Sequence, residues 1–290
     1  MLQTSMGLKN LFNTEALQEE LDMLIQAGFD TADLSFDSKE VRAMLHAPDC
    51  DARMKAACNL FKEKNFTFYQ GHAPFHPYAY NDPEKTRINQ EDIRLSIPYA
   101  AMMGVEYLVV HPIFAPVEDP LHAHPDKLLK MNIDYYTDLM AYAATYGVKI
   151  CTENMFATYP DKTIAPCFAY YAEDLVRLMD AVNDLYVCMD NGHAVLAKQD
   201  LGDMTRAFGS RLKTLHLHGN NFKSDLHVSP FECKEAPWES LYQGLRDIRY
   251  TGSINLEADY FYIYAPPAIK PAAISFLHTC AAHIASQCSL

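Results

Sequence analysis

The sequence predicts an α/β fold, a (β/α)8 TIM barrel forming a single domain over residues 1–290. Three observations carry that prediction. Eight short apolar or β-branched runs alternate with segments of helical period, several of those segments close on a glycine before the next run, and no Gly/Ser-rich linker or low-complexity tract divides the chain. A chain of 290 residues exceeds the usual domain size but suits one barrel, and a hydrophobic content of 49% supplies its core.

In chain order, LQTSMGL (2–8) is the first strand candidate, and TEALQEELDMLIQAGF follows it with a helical pattern. FDTADLSF (29–36) precedes DARMKAACNLFKEKN, FTFYQGHA (66–73) precedes QEDIRLSIPYAAMMG, and VEYLVVHP (105–112) precedes LLKMNIDYYTDLMAYAATYG. VKICTENM (148–155) and LYVCMDNG (185–192) come next, and the helix expected near 200–208 reads as short. LKTLHLHG (212–219) is followed by WESLYQGLRDIRYTG, and GSINLEADY (252–260) completes the eight strands. Gly28, Gly104, Gly147 and Gly252 are predicted to end helices, because a residue without a Cβ takes the left-handed conformation there at little cost.

Composition narrows the function. No stretch approaches the roughly 20 apolar residues of a membrane span, and the polar opening MLQTSMGLKNLFNTEALQEEL does not read as a secretory signal, so a cytoplasmic protein is expected. The eight cysteines (Cys50, Cys58, Cys151, Cys167, Cys188, Cys233, Cys280 and Cys288) form no C-x-x-C pair and are expected to be reduced, mostly buried thiols. Lys and Arg number 24 against 37 Asp and Glu, a formal charge of -13 that argues against nucleic acid and suits a cationic cofactor.

The ionisable residues fall at one end of the predicted strands. His72 follows the third, His111 ends the fourth, Glu153 the fifth, Asp190 and His193 the sixth, His218 the seventh and Glu257 the eighth; Asp225 and His227 lie in the loop after the seventh. Each alone reads as an ordinary rim or core residue. Together they converge, since the C-terminal strand ends of a barrel share one mouth. Burying that many carboxylates is costly without a cation, and no strand-end Lys or Arg is at hand, so a divalent metal is expected. His216 and His218 alternate at i, i+2 and share a face; His216 is read as the deeper, supporting residue. His76 lies close enough to His72 to line the mouth. Phe75, Tyr78, Phe114, Phe156, Phe222 and Phe231 are candidate apolar walls for a sugar.

With these residues placed, the chain resembles the xylose isomerase-like TIM-barrel superfamily, which includes sugar phosphate isomerases/epimerases and barrel-type AP endonucleases. The resemblance runs nearly end to end and rests on TEN (152–154), MDNGH with Asp190 and His193, LHLHGNN, SDLH with Asp225 and His227, and PWESLYQGLRDIRYTGSINLE ending at Glu257. It implies a core divalent metal (Mn, Mg, Co or Zn) on Glu153, Asp190, His218 and Glu257. It implies that Glu153 and Glu257 move protons, while His193, together with His72 and His111, contacts substrate. The implied activity is isomerisation or epimerisation of a ketose, inosose or related carbonyl sugar through a metal-stabilised enediolate.

The endonuclease branch binds three zinc ions, and its additional ligand positions are filled here by His72, His111, His193, Asp225 and His227. The resemblance therefore also implies a second reading, a multi-zinc phosphodiesterase, and the same enolate chemistry would serve a lyase on an oxidised sugar. One departure stands out: the Gly-rich stretch that usually follows D-x-H is replaced by VSPFECKEAP. With Lys223 as the nearby cation and no Gly-rich nest, an unphosphorylated sugar is favoured. The partner expected is a small carbohydrate, with no membrane; a homo-oligomer is compatible with the sequence.

Overall fold

The computed structural model describes residues 2–8, 10–11, 13–232 and 236–288. Cys233 lies outside these; the seven described cysteines are free thiols, all buried except the half-buried Cys167. Eight parallel strands form the sheet: β1 (Thr4–Leu8), β2 (Thr31–Ser35), β3 (Phe68–His72), β4 (Tyr107–Val109), β5 (Lys149–Glu153), β6 (Tyr186–Asp190), β7 (Leu212–His216) and β8 (Ile254–Leu256). Each pairs with its chain neighbour from β1 to β7, and β8 pairs back on β1 with Thr4 opposite Ile254. The seam between β7 and β8 closes one residue beyond β7: the Leu217 N–H donates to Asn255 O at 3.0 Å and the Glu257 N–H donates to Leu217 O at 3.0 Å. The expected (β/α)8 barrel is thus present, and its seam closes beside Glu257.

The helices are α1 (Thr14–Ala27), α2 (Lys39–Leu45), α3 (Cys50–Lys64), α4 (Pro83–Met103), α5 (Pro125–Ala144), α6 (Ala172–Ala181), α7 (Asn191–Leu196), α8 (Leu201–Phe208), α9 (Trp238–Asp247) and α10 (Lys270–Cys288). Their apolar faces cover the outside of the barrel; Leu17, Leu21 and Leu24 of α1 and Ile274, Leu277 and Ile284 of α10 are fully buried. No helix among the described residues is long and apolar enough to cross a membrane.

Gly28 (φ +102°) and Gly104 (φ +78°) cap α1 and α4 as predicted, and Gly147 (φ +73°) follows α5. Gly252 does not end a helix. The α9 helix stops at Asp247, Arg249 takes the left-handed turn (φ +54°), and a Cβ on Gly252 would lie 2.4 Å from Lys213 O. This glycine is required by close backbone approach to β7 instead.

Inside the barrel the residues two positions below the mouth are unusually polar. Asp33 on β2, Gln70 on β3, Thr214 on β7 and Asn255 on β8 are all buried, and they form the floor on which the mouth residues stand.

Candidate metal centre

Short devices at the strand ends hold the side chains. Asn154, just past β5, accepts the Asp190 N–H at 2.8 Å and donates its own amide to Asp190 O at 2.9 Å. Asn191 does the same for His218, accepting its N–H at 2.8 Å and donating to its carbonyl at 3.0 Å. These two side chains continue the strand ladder beyond β5, β6 and β7, where backbone pairing ends. Asp190 also caps α7, accepting the His193 N–H at 2.7 Å, so the turn that positions His193 is fixed by a neighbouring site residue.

Three clusters result. Glu153, buried to 1% exposure, faces His111 (Oε2 to Nε2, 3.2 Å) and His72 (3.5 Å), whose own Nε2 atoms are 3.2 Å apart. On its other oxygen, Glu153 accepts from His216 Nδ1 at 3.0 Å, and the same nitrogen is 3.4 Å from Glu257 Oε2. Further out, Asp225 meets His227 Nε2 at 2.8 Å, His193 Nε2 at 3.4 Å and His218 Nε2 at 3.5 Å, and His218 Nε2 is 3.4 Å from Asp190 Oδ1. The His218 and His227 rings stack with centroids 4.4 Å apart.

All the predicted site residues therefore reach one mouth, but the two strand-seven histidines divide differently from the expectation. His216 ends β7 opposite Asp190 and sits between Glu153 and Glu257, whereas His218 lies beyond the strand among Asp190, Asp225 and His227. The physical reason is where β7 stops: its last ladder partner is His216, and the next inward side chain is carried up into the outer cluster.

Orientation of the imidazoles is the main clue to chemistry. The Nδ1–H groups of His72, His193, His218 and His227 donate to the backbone carbonyls of Ala73 (2.6 Å), Asn154 (2.8 Å), Gly219 (3.0 Å) and Glu257 (3.0 Å). That fixes the tautomer and leaves each Nε2 facing other ligand-type atoms. Glu153 Oε2, Asp190 Oδ2, His218 Nε2 and Asp225 Oδ1 are buried without a hydrogen-bond partner. Lone pairs aimed at one another in a dry site are unfavourable unless a cation stands among them. The donor set, imidazole nitrogens and carboxylate oxygens, fits a first-row divalent ion.

The electrostatics point the same way. Burial works against a charged imidazole at His216, His193 and His227, but the surrounding carboxylates outweigh it; His227 is pushed up to about 10, and the other two stand well above the ordinary histidine value. Burial likewise works to raise Glu153, yet His216, His111 and His72 hold it well below the usual carboxylate range. His111 and His76 depart from this, both lowered by burial; His111 is pushed down to about 4, consistent with a single proton between its Nε2 and that of His72. The carboxylates thus demand positive charge at this mouth, supplied by protons here and equally by a metal.

The mouth opens into two lobes that share His72, Phe75, His227 and Glu257. One, about 210 Å³, has Phe114, Met155 and Phe156 as walls; the other, about 200 Å³, has Asp33, Ser35, Asp37, Asp259 and Tyr260. No Lys or Arg among the described residues lines either lobe. Phe75 stacks on His111 with centroids 4.8 Å apart, and Phe156 meets the His193 ring edge-on at 5.0 Å. His76 lines the first lobe, while Tyr78 lies in a neighbouring cleft with its hydroxyl on Asp119. Phe222 and Phe231 line neither lobe; Phe231 packs on Trp238 at 5.1 Å. Sequence reasoning missed the β2 residues Asp33 and Ser35 and the rim residues Asp37, Asp259 and Tyr260. The available signal was Asp33 itself, an acid inside the otherwise strand-like ADLSF.

Comparison with known proteins adds a family and a fold. The family described as xylose isomerase-like TIM barrel matches residues 21–280. An uncharacterized protein of Methanocaldococcus jannaschii is 28% identical over 193 residues, 64% of this chain and 62% of that protein, so the chain spans under two thirds of that relative. Among solved structures, a D-tagatose 3-epimerase-like protein superposes with a TM-score of 0.74 at 19% identity, covering 99% of this chain and 98% of that one. The 3-keto-D-glucoside 4-epimerase of E. coli gives 0.70 at 15% identity, covering 97% and 100%.

Proposed function

The chain belongs to the xylose isomerase-like TIM-barrel family, and from that premise we propose that it is a divalent-metal-dependent isomerase or epimerase of an unphosphorylated ketose, inosose or related carbonyl sugar. The observation that carries the reading is the convergence of Glu153 and Glu257 on one ring nitrogen, His216 Nδ1, at 3.0 and 3.4 Å, in a mouth where His72, His193, His218 and His227 are locked by backbone carbonyls. The likeness to named sugar epimerases supports it, as does the absence of Lys and Arg from the described lining of both lobes.

Glu153, Asp190, His216 and Glu257 would hold the core ion, with His216 preferred over the expected His218 because it is the imidazole between the two glutamates. When bound, a divalent ion would supply Lewis-acid polarisation of a carbonyl and its neighbouring hydroxyl, which acidifies the C–H of the hydroxyl-bearing carbon. The protein's part is acid–base work. Glu257, which lines both lobes, would take a proton from a substrate carbon, and Glu153, buried and lining the first lobe only, would hold or return one. His193, with Nδ1 tied to Asn154, presents Nε2 toward the first lobe for a substrate oxygen. The apolar walls of that lobe exclude water from the reacting carbon.

Deuterium incorporation from heavy water, followed by NMR over a panel of ketoses and inososes with metal-loaded protein, tests the reading. Exchange at one C–H is expected, and Glu257→Gln should slow it by about two to four orders of magnitude. An unchanged rate in that variant would remove Glu257 from proton transfer.

A second reading, the multi-zinc phosphodiesterase, is favoured by the gathering of His72, His111 and Glu153 in one cluster and His218, Asp225 and His227 in another. Metal stoichiometry separates the two. Three tightly held zinc ions with cleavage of abasic-site DNA would sink the epimerase reading.

A further inference from the structure

Of the histidines gathered at this mouth, His72, His193, His218 and His227 are aimed by backbone carbonyls, whereas His216 faces carboxylates at both ring nitrogens. Its Nδ1 faces Glu153 and Glu257, and its Nε2 points down the barrel to Asp33 Oδ2 at 3.5 Å. Asp33 is buried to 4% exposure and is itself pinned: Gln70 Nε2 donates to Oδ2 at 2.8 Å and Asn255 Nδ2 donates to the same oxygen at 3.0 Å. Gln70 is braced in turn against Leu215 O on β7 at 3.3 Å. Residues from β2, β3 and β8 thus converge behind one ring on β7. His216 Nε2 is buried without a hydrogen-bond partner, and the Asp33 carboxylate, through Oδ2, is the acceptor it faces.

We propose that Asp33 is a positioning residue: it holds the proton of His216 on Nε2 and thereby presents the Nδ1 lone pair to the ion between Glu153 and Glu257. This rests on the metal-centre reading above. The physical basis is that a carboxylate behind a ligating histidine fixes tautomer and ring direction and raises the basicity of the coordinating nitrogen. A backbone carbonyl would fix the tautomer alone. Asp33 also adds a charge, which strengthens the one imidazole that stands between two glutamates. Substitution by asparagine removes the charge but not the acceptor. Gln70 and Asn255 both donate to Oδ2, so the amide oxygen of an asparagine takes that place and still faces His216 Nε2, whereas leucine removes the acceptor as well.

The test measures zinc affinity by chelator competition in the full chain, together with the imidazole tautomer of His216 by long-range 1H–15N correlation in the zinc-loaded protein. Asp33→Leu is expected to weaken zinc binding by about ten- to a hundredfold and to shift His216 away from the Nε2–H form, with the circular dichroism spectrum unchanged; Asp33→Asn should lose part of that affinity with the Nε2–H form kept. Gln70→Leu keeps the Asp33 charge but removes one of its two anchors, and a smaller loss of affinity is expected. If Asp33→Leu does not fold, Asp33→Asn and Gln70→Leu decide by affinity. Wild-type affinity in the folded variants, or an unchanged His216 tautomer in folded Asp33→Leu, overturns the role of Asp33. Failure of the wild-type protein to bind zinc would instead overturn the metal-centre reading, a result the same titration reports separately.

Discussion

Gly192 stands one residue before neither strand nor loop but inside the turn from Asp190 to His193, and it has no room for a side chain: a Cβ there would lie 2.0 Å from His218 Cε1 and 2.4 Å from Nε2. By helix propensity alone Gly192→Ala would stabilise α7 by roughly 0.5–1 kcal/mol. Crowding reverses the sign, because the His218 ring would have to leave both Gly219 O and its stack on His227. Gly192→Ala is expected to cost about 1–3 kcal/mol in urea unfolding; equal or greater stability would show that the ring can yield. At this scale most of the mouth was legible in the sequence, since His72, Glu153, Asp190 and Glu257 sit at or just past the ends of runs that are plainly strands. The division of labour between His216 and His218 was not. Alternation puts both on one face, and only the point where β7 stops pairing decides which ring stands between the glutamates. Asp33 and Asn255 were hidden for a related reason: a polar residue two positions below a strand end reads as an irregular core position until the strands are placed side by side.

The outer layer of helices has one contact that sets its geometry at backbone distance. A Cβ on Gly244 in α9 would lie 2.8 Å from Gly202 Cα in α8, and one on Gly202 would lie 2.5 Å from Ser240 O, so the two helices touch main chain to main chain. The α8 helix, only eight residues long, buries Leu201, Met204, Thr205 and Phe208 and lies flush against α9. Gly244→Ala should destabilise by about 1–3 kcal/mol through overpacking, measured by chemical unfolding, while isotope exchange at temperatures where the variant is folded keeps its wild-type rate. A neutral effect would mean that the helices can part without cost. The short helix near 200–208 was visible in the sequence as the weak member of the set, but its partner contact was not. Two other features were obscured by local chemistry. The α4 helix begins at Pro83, well before the apolar period is evident, because Asp82 accepts the Lys85 N–H at 2.8 Å and a proline at the first turn gives up no hydrogen bond. The α7 helix is a single short turn, hidden inside MDNGH because Asp190 serves at once as strand end, helix cap and site residue.

For the molecule as a whole, the balance of charge and the closure of the barrel act on the same place. The chain carries a formal charge of -13, and Glu153, Asp190, Asp225 and Glu257 draw part of that charge to the rim where the β7–β8 seam closes through Leu217. Without a metal these carboxylates rely on protonated imidazoles, four of which are held by backbone carbonyls just past β3, β5, β7 and β8. A divalent ion held by Glu153, Asp190, His216 and Glu257, as proposed, would tie together β5, β6, β7 and β8 across the seam, and binding energy available only to the folded state would add to stability. Removal of metal by dialysis against a chelator is expected to lower the thermal midpoint, and returning Mn, Co, Mg or Zn at about a hundred times its dissociation constant should restore roughly 2.7 kcal/mol, a shift of several degrees for a chain of this size. Hydrogen exchange supplies the spatial half of the test: the amides of Leu217 and Glu257, which form the seam, should gain protection on metal addition, while those at the N-terminal ends of the strands change little. A midpoint that does not move with any of the four ions, at concentrations that saturate an independent binding assay, would mean that the ion is not coupled to barrel closure.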